Sequence, residues 1–385
     1  MTAPIVDPQG FVSLSANIGI RDDAKDFVVI VSSVPATSSA VFTQSRFAGP
    51  SIEISRHVAA TGRGRAIAVI SKNANVACGD PGRRDADLLQ LQAAALVGCD
   101  PEEMFIASTG VIGRRYPAAI IEQFFDGTSF EGRPADFDQA AAAIMTTDTH
   151  PKVARATVGG ASIVGIAKGV GMIEPDMATL LTFFFTDAAV EAPALDAMFR
   201  RVVDRTFNAL SIDTDTSTSD SAIVIANALA GPVDHEAFEA ALGGVALALV
   251  RMIAADGEGA SKTIEATIRG AVDVAQAKRI AKLIVNSPLV KTAVHGADPN
   301  WGRIAMAIGK SNDPTIDQDH VIISIGGLVM YPPAAGESAL AAAAEHMAGD
   351  VTLIEVDLGA GDSMFTAYGC DLTDGYVRIN ADYTT

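Results

Sequence analysis

The chain has 385 residues, of which 49% are apolar and 19% charged, and its formal net charge is −18. That size supports one large domain with a smaller one, or two of moderate size, and the composition is that of a packed α/β protein rather than a disordered or fibrous one. With no basic run longer than an Arg–Arg pair, such a chain repels phosphate backbones and anionic lipid, so nucleic acid and membranes are excluded as partners and the acidity serves solubility.

The opening MTAPIVDPQGF has neither the basic nor the apolar region of a secretory signal, and no stretch approaches ~18 uninterrupted apolar residues. Cys78, Cys99 and Cys370 are odd in number and widely spaced, which supports neither a disulfide framework nor a zinc site and fits a reducing, cytoplasmic setting.

In chain order, short β-branched runs at residues 27–31 and 66–70 predict strands, and residues 86–97 and 118–125 predict helices, an α/β alternation. Residues 165–171 read as a glycine-rich loop, and the apolar run 180–185 as a strand buried on both faces. Leu195, Met198, Phe199, Val202, Val203 and Phe207 line one face of a helix. A strand at 222–226 and an apolar helix over 236–254 follow, closed by the DGEG turn at 256–259 and a strand at 263–268. The domain boundary falls there: residues 1–262 form the main α/β catalytic domain and 263–385 a smaller C-terminal α/β domain that completes the substrate site. Its elements are a helix at 275–284, a strand at 321–325, a helix at 339–347 and strands at 351–356 and 364–369. No internal repeat or long linker separates the two parts.

Several chemical patterns fail on inspection. The glycines of 165–171 fit neither GxxxxGK[ST] nor a GxGxxG that opens a helix. The run Asp213, Asp215, Ser217 begins like a calcium loop but has Thr218 where Gly is needed and Val224 where a bidentate Glu is needed, so it reads as a polar turn whose side chains cap and line a loop. His57, His150, His235, His295, His320 and His346 show no paired ligand spacing and read as surface or capping residues, and no GxSxG anchors a serine triad.

What remains is Thr179, where a glycine-rich stretch and Pro175 give way to the apolar run. A strand there holds a hydroxyl rigidly, while the loop before it can take the strained peptide geometry of an N-to-O acyl shift. Cleavage between Ala178 and Thr179 frees an α-amine with a reference pKa near about 8, which serves as base for its own hydroxyl without a histidine. On this pattern alone, an ordinary threonine at a loop-to-strand junction is the better reading.

The stretch GIAKGVGMIEPDMATLL at 165–181 resembles the processing site of the ornithine acetyltransferase (glutamate N-acetyltransferase) family, whose members cleave themselves between this Ala and Thr. STGVIG at 108–113, IMTTDTHPK at 144–152, DTDTSTSDS at 213–221, DGEGASK at 256–262, NSPLVKTAVHGADPNWGRI at 286–304 and the terminal NADYTT follow in the family's order, nearly end to end. The resemblance implies Thr179 as nucleophile and Thr109 with Gly110 as oxyanion hole. It implies substrate contacts from Thr147, Lys168, Thr179, Glu258, Asn380 and Thr385, with Lys168 suited to a carboxylate and Glu258 to an ammonium.

The resemblance further implies a self-processed two-fragment α/β fold and acetyl transfer from N-acetylornithine to glutamate with no metal or organic cofactor. The two fragments stay together as a heterodimer that pairs again with copies of itself. KNANVACG at 72–79 and TFNALSIDTDTSTSDS at 206–221 depart from the NSGNAN and SFNxxxVDGDTSTND of the arginine-pathway members and resemble the branch found in clavam-type clusters. An amidohydrolase or aminopeptidase with water as acceptor, an acyltransferase with another amino-acid substrate, and a non-catalytic binding protein are the competing readings.

Overall fold

The computed structural model describes residues 6–21, 24–174, 180–332 and 336–382. The strands in chain order are β1 (Phe11–Ala16), β2 (Phe27–Ser32), β3 (Thr37–Phe42), β4 (Ala66–Ile70), β5 (Met104–Ser108), β6 (Lys152–Val158), β7 (Ala161–Lys168), β8 (Leu181–Ala189) and β9 (Ser221–Pro232). They continue as β10 (Thr263–Ala271), β11 (Ile322–Ile325), β12 (Leu328–Tyr331), β13 (Val351–Asp357) and β14 (Ser363–Cys370). Three sheets result, ordered β1-β2-β4-β5, β3-β9-β8-β7-β6 and β12-β11-β13-β10-β14. The protein is therefore mixed α/β.

The middle sheet is the organiser, because it is buried on both faces. On β8, Phe183 and Phe185 point into a core shared with the first sheet, whereas Phe184 points the other way, onto helices Ala192–Arg205 and His235–Ala255. The same period of two places Ile223 and Ile225 of β9 in one core and Ala222, Val224 and Ala226 in the other. Both faces demand apolar side chains, which explains the unbroken run that marks β8 in the sequence. Around this sheet β3 pairs antiparallel with β9, β9 parallel with β8, and β8 antiparallel with β7. The first sheet carries helices Gly79–Val97 and Ala118–Gly127 on its far face. The second core runs on into the third sheet through Ile264, Ile268 and helix Val274–Val285.

The predicted strands and helices begin within two residues of where expected, apart from the helix described next, while β8, β9 and β10 run on past their expected ends to Ala189, Pro232 and Ala271. Helix Gly79–Val97 begins seven residues before the expected start at Ala86, since Pro81 sits in the first turn, where its missing N–H costs nothing. The buried run starts β8 at Leu181, with Leu180 outside the strand. Gly165 through Lys168 are not loop but the end of β7. A Cβ on Gly165 would lie 2.8–2.9 Å from side-chain atoms of Val245, Leu249 and Phe184, so this glycine exists to let helix His235–Ala255 close on the sheet. That helix is long and apolar enough to cross a bilayer, yet Phe238, Leu242, Val245, Leu249 and Ile253 are buried against β6, β7 and neighbouring helix Ala192–Arg205.

Overpacking at this point has a measurable cost. Gly165→Val should lower the free energy of unfolding by about 1–3 kcal/mol, the range for methyl groups forced into a filled core. Urea titration reads it, and an unchanged midpoint would mean that the helix is free to lift.

Candidate active site

Six of the sequence-predicted residues converge on one polar cleft: Thr109, Gly110, Thr147, Lys168, Glu258 and Asn380, joined by Thr146, Asp213, Asp215, Ser217 and Tyr376. Thr179, Ala178 and Thr385 lie outside the described residues. Leu180, the residue after Thr179, lines a small pocket that shares Thr109, Lys168 and Ser219 with the cleft and adds Asp220.

Thr109 and Gly110 leave the end of β5. The Thr109 N–H donates to Ile70 O at 3.0 Å, and Val111 and Ala74 exchange hydrogen bonds with Lys72 O and Val111 O at 3.3 and 3.1 Å, which clasps residues 109–111 against the loop after β4. Gly110 has φ 126, and a Cβ there would sit 2.2 Å from the Lys72 carbonyl carbon, so only glycine permits this approach. Among the described residues neither the Thr109 hydroxyl nor the Gly110 N–H has an acceptor. Two donors held rigidly side by side without a partner form an arrangement that stabilises a developing oxyanion.

Opposite charges flank those donors. Glu258 follows helix His235–Ala255, its N–H donating to Val170 O at 2.8 Å. Its carboxylate accepts the Thr147 hydroxyl at 3.2 Å and the Asn380 amide at 2.8 Å. Two glycines make room for this: a Cβ on Gly171 would lie 2.6 Å from Glu258 Oε2, and one on Gly259, at φ 69, would lie 2.3 Å from the Tyr376 nitrogen. The C-terminal helix Asp374–Asp382 can thus bring Asn380 to the carboxylate. Tyr376, on the same helix, has its phenol pushed up to about 12, first by burial and then by Asp213 and Glu258 nearby.

Lys168, at the end of β7, donates to Thr146 Oγ1 at 3.1 Å. Burial of its ammonium pushes its pKa below 10.5, only partly offset by the attraction of Asp148 and Asp220.

Beneath the cleft lies a cluster that the sequence did not reveal. Lys152, fully buried at the start of β6, donates to Asp148 Oδ1 at 2.8 Å and to Asp256 Oδ2 at 2.6 Å. Asp148 also accepts the Gly169 N–H at 2.7 Å and the Thr146 N–H at 3.0 Å. Asp256 takes the Thr149 N–H at 3.1 Å and the Thr149 hydroxyl. Burial opposes the Asp148 charge, but Lys168, Lys152 and the Gly169 N–H outweigh it and hold the carboxyl below the usual range. The expected polar turn also has a specific job, as Asp213 accepts the Met172 and Ile173 N–H groups at 2.7 and 2.8 Å and ties the stretch after Lys168 in place. The histidines stay outside the cleft, with His346 half-buried and the other five exposed.

A pair of free donors between an ammonium and a carboxylate is an arrangement suited to acyl transfer on small zwitterionic substrates. The model of the ArgJ family matches residues 13–385. Glutamate N-acetyltransferase Oat2 of Streptomyces clavuligerus is 57% identical over 98% of both chains. Among solved structures, the arginine biosynthesis bifunctional protein argJ of Bacillus halodurans is 39% identical over 51% of this chain and 96% of its own, with a TM-score of 0.48. The ornithine acetyltransferase of Mycobacterium tuberculosis complexed with ornithine is 28% identical over 44% and 94%, with a TM-score of 0.37. The chain belongs to the ArgJ family and is an acyltransferase.

Lys152→Met tests the buried cluster. It leaves two buried carboxylates facing one another with only Lys168 as the buried cation near Asp148, and should lower stability by about 3–5 kcal/mol. Urea unfolding of the variant checks this, and a loss below about 1 kcal/mol, the worth of an exposed pair, would mean that water already reaches the cluster.

Proposed function

We propose that this chain is an ornithine acetyltransferase that cleaves itself between Ala178 and Thr179 and then carries acetyl from N2-acetyl-L-ornithine to L-glutamate on Thr179. The observation that carries the reading is the Thr109 hydroxyl and Gly110 N–H, both without an acceptor among the described residues, in a cleft that also holds Lys168 and Glu258.

In the cleavage, the Thr179 hydroxyl attacks the Ala178 carbonyl carbon, the peptide C–N bond breaks to give an ester and a free α-amine, and water hydrolyses the ester. The amine then accepts the hydroxyl proton as Thr179 attacks the acetyl carbonyl, whose oxygen collects negative charge between Thr109 and Gly110. The C–N bond to ornithine breaks, its nitrogen leaves with the proton, and acetyl-Thr179 remains. Glutamate enters, its amine attacks the ester, and N-acetylglutamate departs as the threonine hydroxyl is restored. Lys168 receives the substrate carboxylate and Glu258 the ornithine side-chain ammonium, with Thr147, Asn380 and Thr385 completing the pocket. No metal or organic cofactor enters these steps.

The two fragments remain a heterodimer. Strands β8 and β9 of the second are bounded on one side by β3 and on the other by β7, both of the first, so separation would tear the middle sheet open. The heterodimer pairs again with copies of itself. Residues 1–262 act as the catalytic domain and 263–385 as the C-terminal domain that brings Asn380 to the cleft. Three unpaired cysteines suit a cytoplasmic enzyme.

Denaturing electrophoresis of the purified protein should show fragments 1–178 and 179–385, and Thr179→Ala a single band; an active enzyme that stays whole would sink the reading. Glutamate should be required for steady turnover, whereas a hydrolase would release ornithine at full speed without it.

Lys168 gives the pH dependence its sign. Because burial lowers its pKa, its charge disappears earlier than an ordinary lysine's as pH rises, and carboxylate affinity disappears with it. The KM for glutamate should therefore climb on the alkaline side below pH 10.5. Lys168→Met should raise KM at neutral pH about tenfold or more, the worth of a charge-assisted hydrogen bond, and abolish the climb. A KM as pH-dependent as the wild type's in that variant would assign the effect to another group.

A further inference from the structure

Asp220 has no part in the steps above, yet it is 1% exposed and lines the small pocket beside the cleft with Thr109 and Lys168. Its Oδ1 accepts the Leu180 N–H at 2.7 Å. The next residue, Ser221, donates its N–H to the Leu180 carbonyl at 2.9 Å. Residues 220 and 221 thus hold Leu180 by both of its backbone polar groups. The grip is anchored from behind, since the Asp220 carbonyl accepts the Thr43 N–H at 3.0 Å just past the end of β3.

Leu180 needs such a grip. It has φ 114, a conformation that a side chain with a Cβ adopts only under compulsion. The N–H that Asp220 holds belongs to the planar peptide unit joining Thr179 to Leu180, so fixing that N–H fixes the whole unit.

Burial pushes the Asp220 carboxyl up to about 8, against the pull of the Leu180 N–H, Ser217 and Lys168. At neutral pH it therefore accepts this hydrogen bond without needing a negative charge. Its Oδ2 has no hydrogen-bond partner among the described residues.

We propose that Asp220 is a positioning residue for the nucleophile: by accepting the Leu180 N–H, with Ser221 holding the Leu180 carbonyl, it sets the peptide unit that follows Thr179 and so aims Thr179 for both self-cleavage and acyl transfer. The inference rests on the Thr179 reading. What is required at position 220 is an acceptor oxygen in one place, which an amide supplies as well as a carboxyl group and an apolar side chain of similar volume does not.

Asp220→Asn and Asp220→Leu separate these cases. Self-cleavage is followed by intact mass, and kcat and KM for N-acetylornithine are measured on the cleaved material, with thermal melts as a check on folding. Asp220→Asn should cleave and turn over within about threefold of wild type, and Asp220→Leu should lose roughly tenfold or more in the cleavage rate and in kcat while KM stays near wild type, as expected when a buried hydrogen bond to the reacting segment is left unmade. Should Asp220→Leu fail to fold, Asp220→Glu replaces it, because one added methylene displaces the oxygen and predicts the same loss.

A Leu or Glu variant that cleaves as fast as wild type overturns the proposal. So does an Asn variant as slow as Leu, which would make the carboxyl group itself the requirement. A wild-type chain that never cleaves sinks the Thr179 reading instead, so the two failures are told apart.

Discussion

Lys152 is the interaction on which the cleft depends. One buried ammonium holds Asp148 and Asp256, residues 108 positions apart in the chain by their numbers, and each aspartate hands the constraint on. Asp148 fixes the turn that presents Thr146 and Thr147 and holds the Gly169 N–H beside Lys168. Asp256 ends the long helix two residues before Glu258 and fastens it to Thr149. Desolvating three charges is costly, and such a cluster is worth having only if every lone pair and proton finds a partner. Here the backbone N–H groups of Thr146, Thr149 and Gly169 supply those partners, so the same hydrogen bonds that satisfy the buried charges position the cleft-facing side chains.

The middle sheet gives the proposed cut its meaning. A chain severed between residues 178 and 179 loses one covalent link but none of the ladder bonds by which β8 and β9 sit between β7 and β3. Strand β8, which follows the proposed cut, has its side chains Phe183 to Phe185 packed on both faces. A rigid strand and a polar cleft meet the two demands of the proposed nucleophile, which must first break its own backbone and afterwards hold still.

Much of this was legible in the sequence because it is local. A strand buried on both faces must be continuously apolar, and a helix with one covered face must repeat every three to four residues, so β8 and helix Ala192–Arg205 announce themselves. The candidate site residues come from ordered motifs, and the six that are described meet in one cleft. What escaped is what depends on partners far along the chain. Gly165 looked like a loop glycine because the helix that requires its missing side chain lies some eighty residues later, at Val245 and Leu249. Lys152, Asp148 and Asp256 carry no spacing that marks an ion cluster, and Asp220 gives no sign that its carboxyl group belongs with Leu180. The acidic stretch at Asp213 reads as a polar turn, but nothing local shows that it grips Met172 and Ile173.

The central claim is that acetyl travels on Thr179, and mass spectrometry of the protein mixed with N-acetylornithine alone tests it most directly. The account predicts that the fragment 179–385 gains the mass of one acetyl group, that ornithine appears in a burst near one equivalent per site, and that added glutamate removes the label as N-acetylglutamate forms. A fragment that stays unlabelled while acetyl still passes to glutamate would contradict it, because transfer would then bypass the threonine.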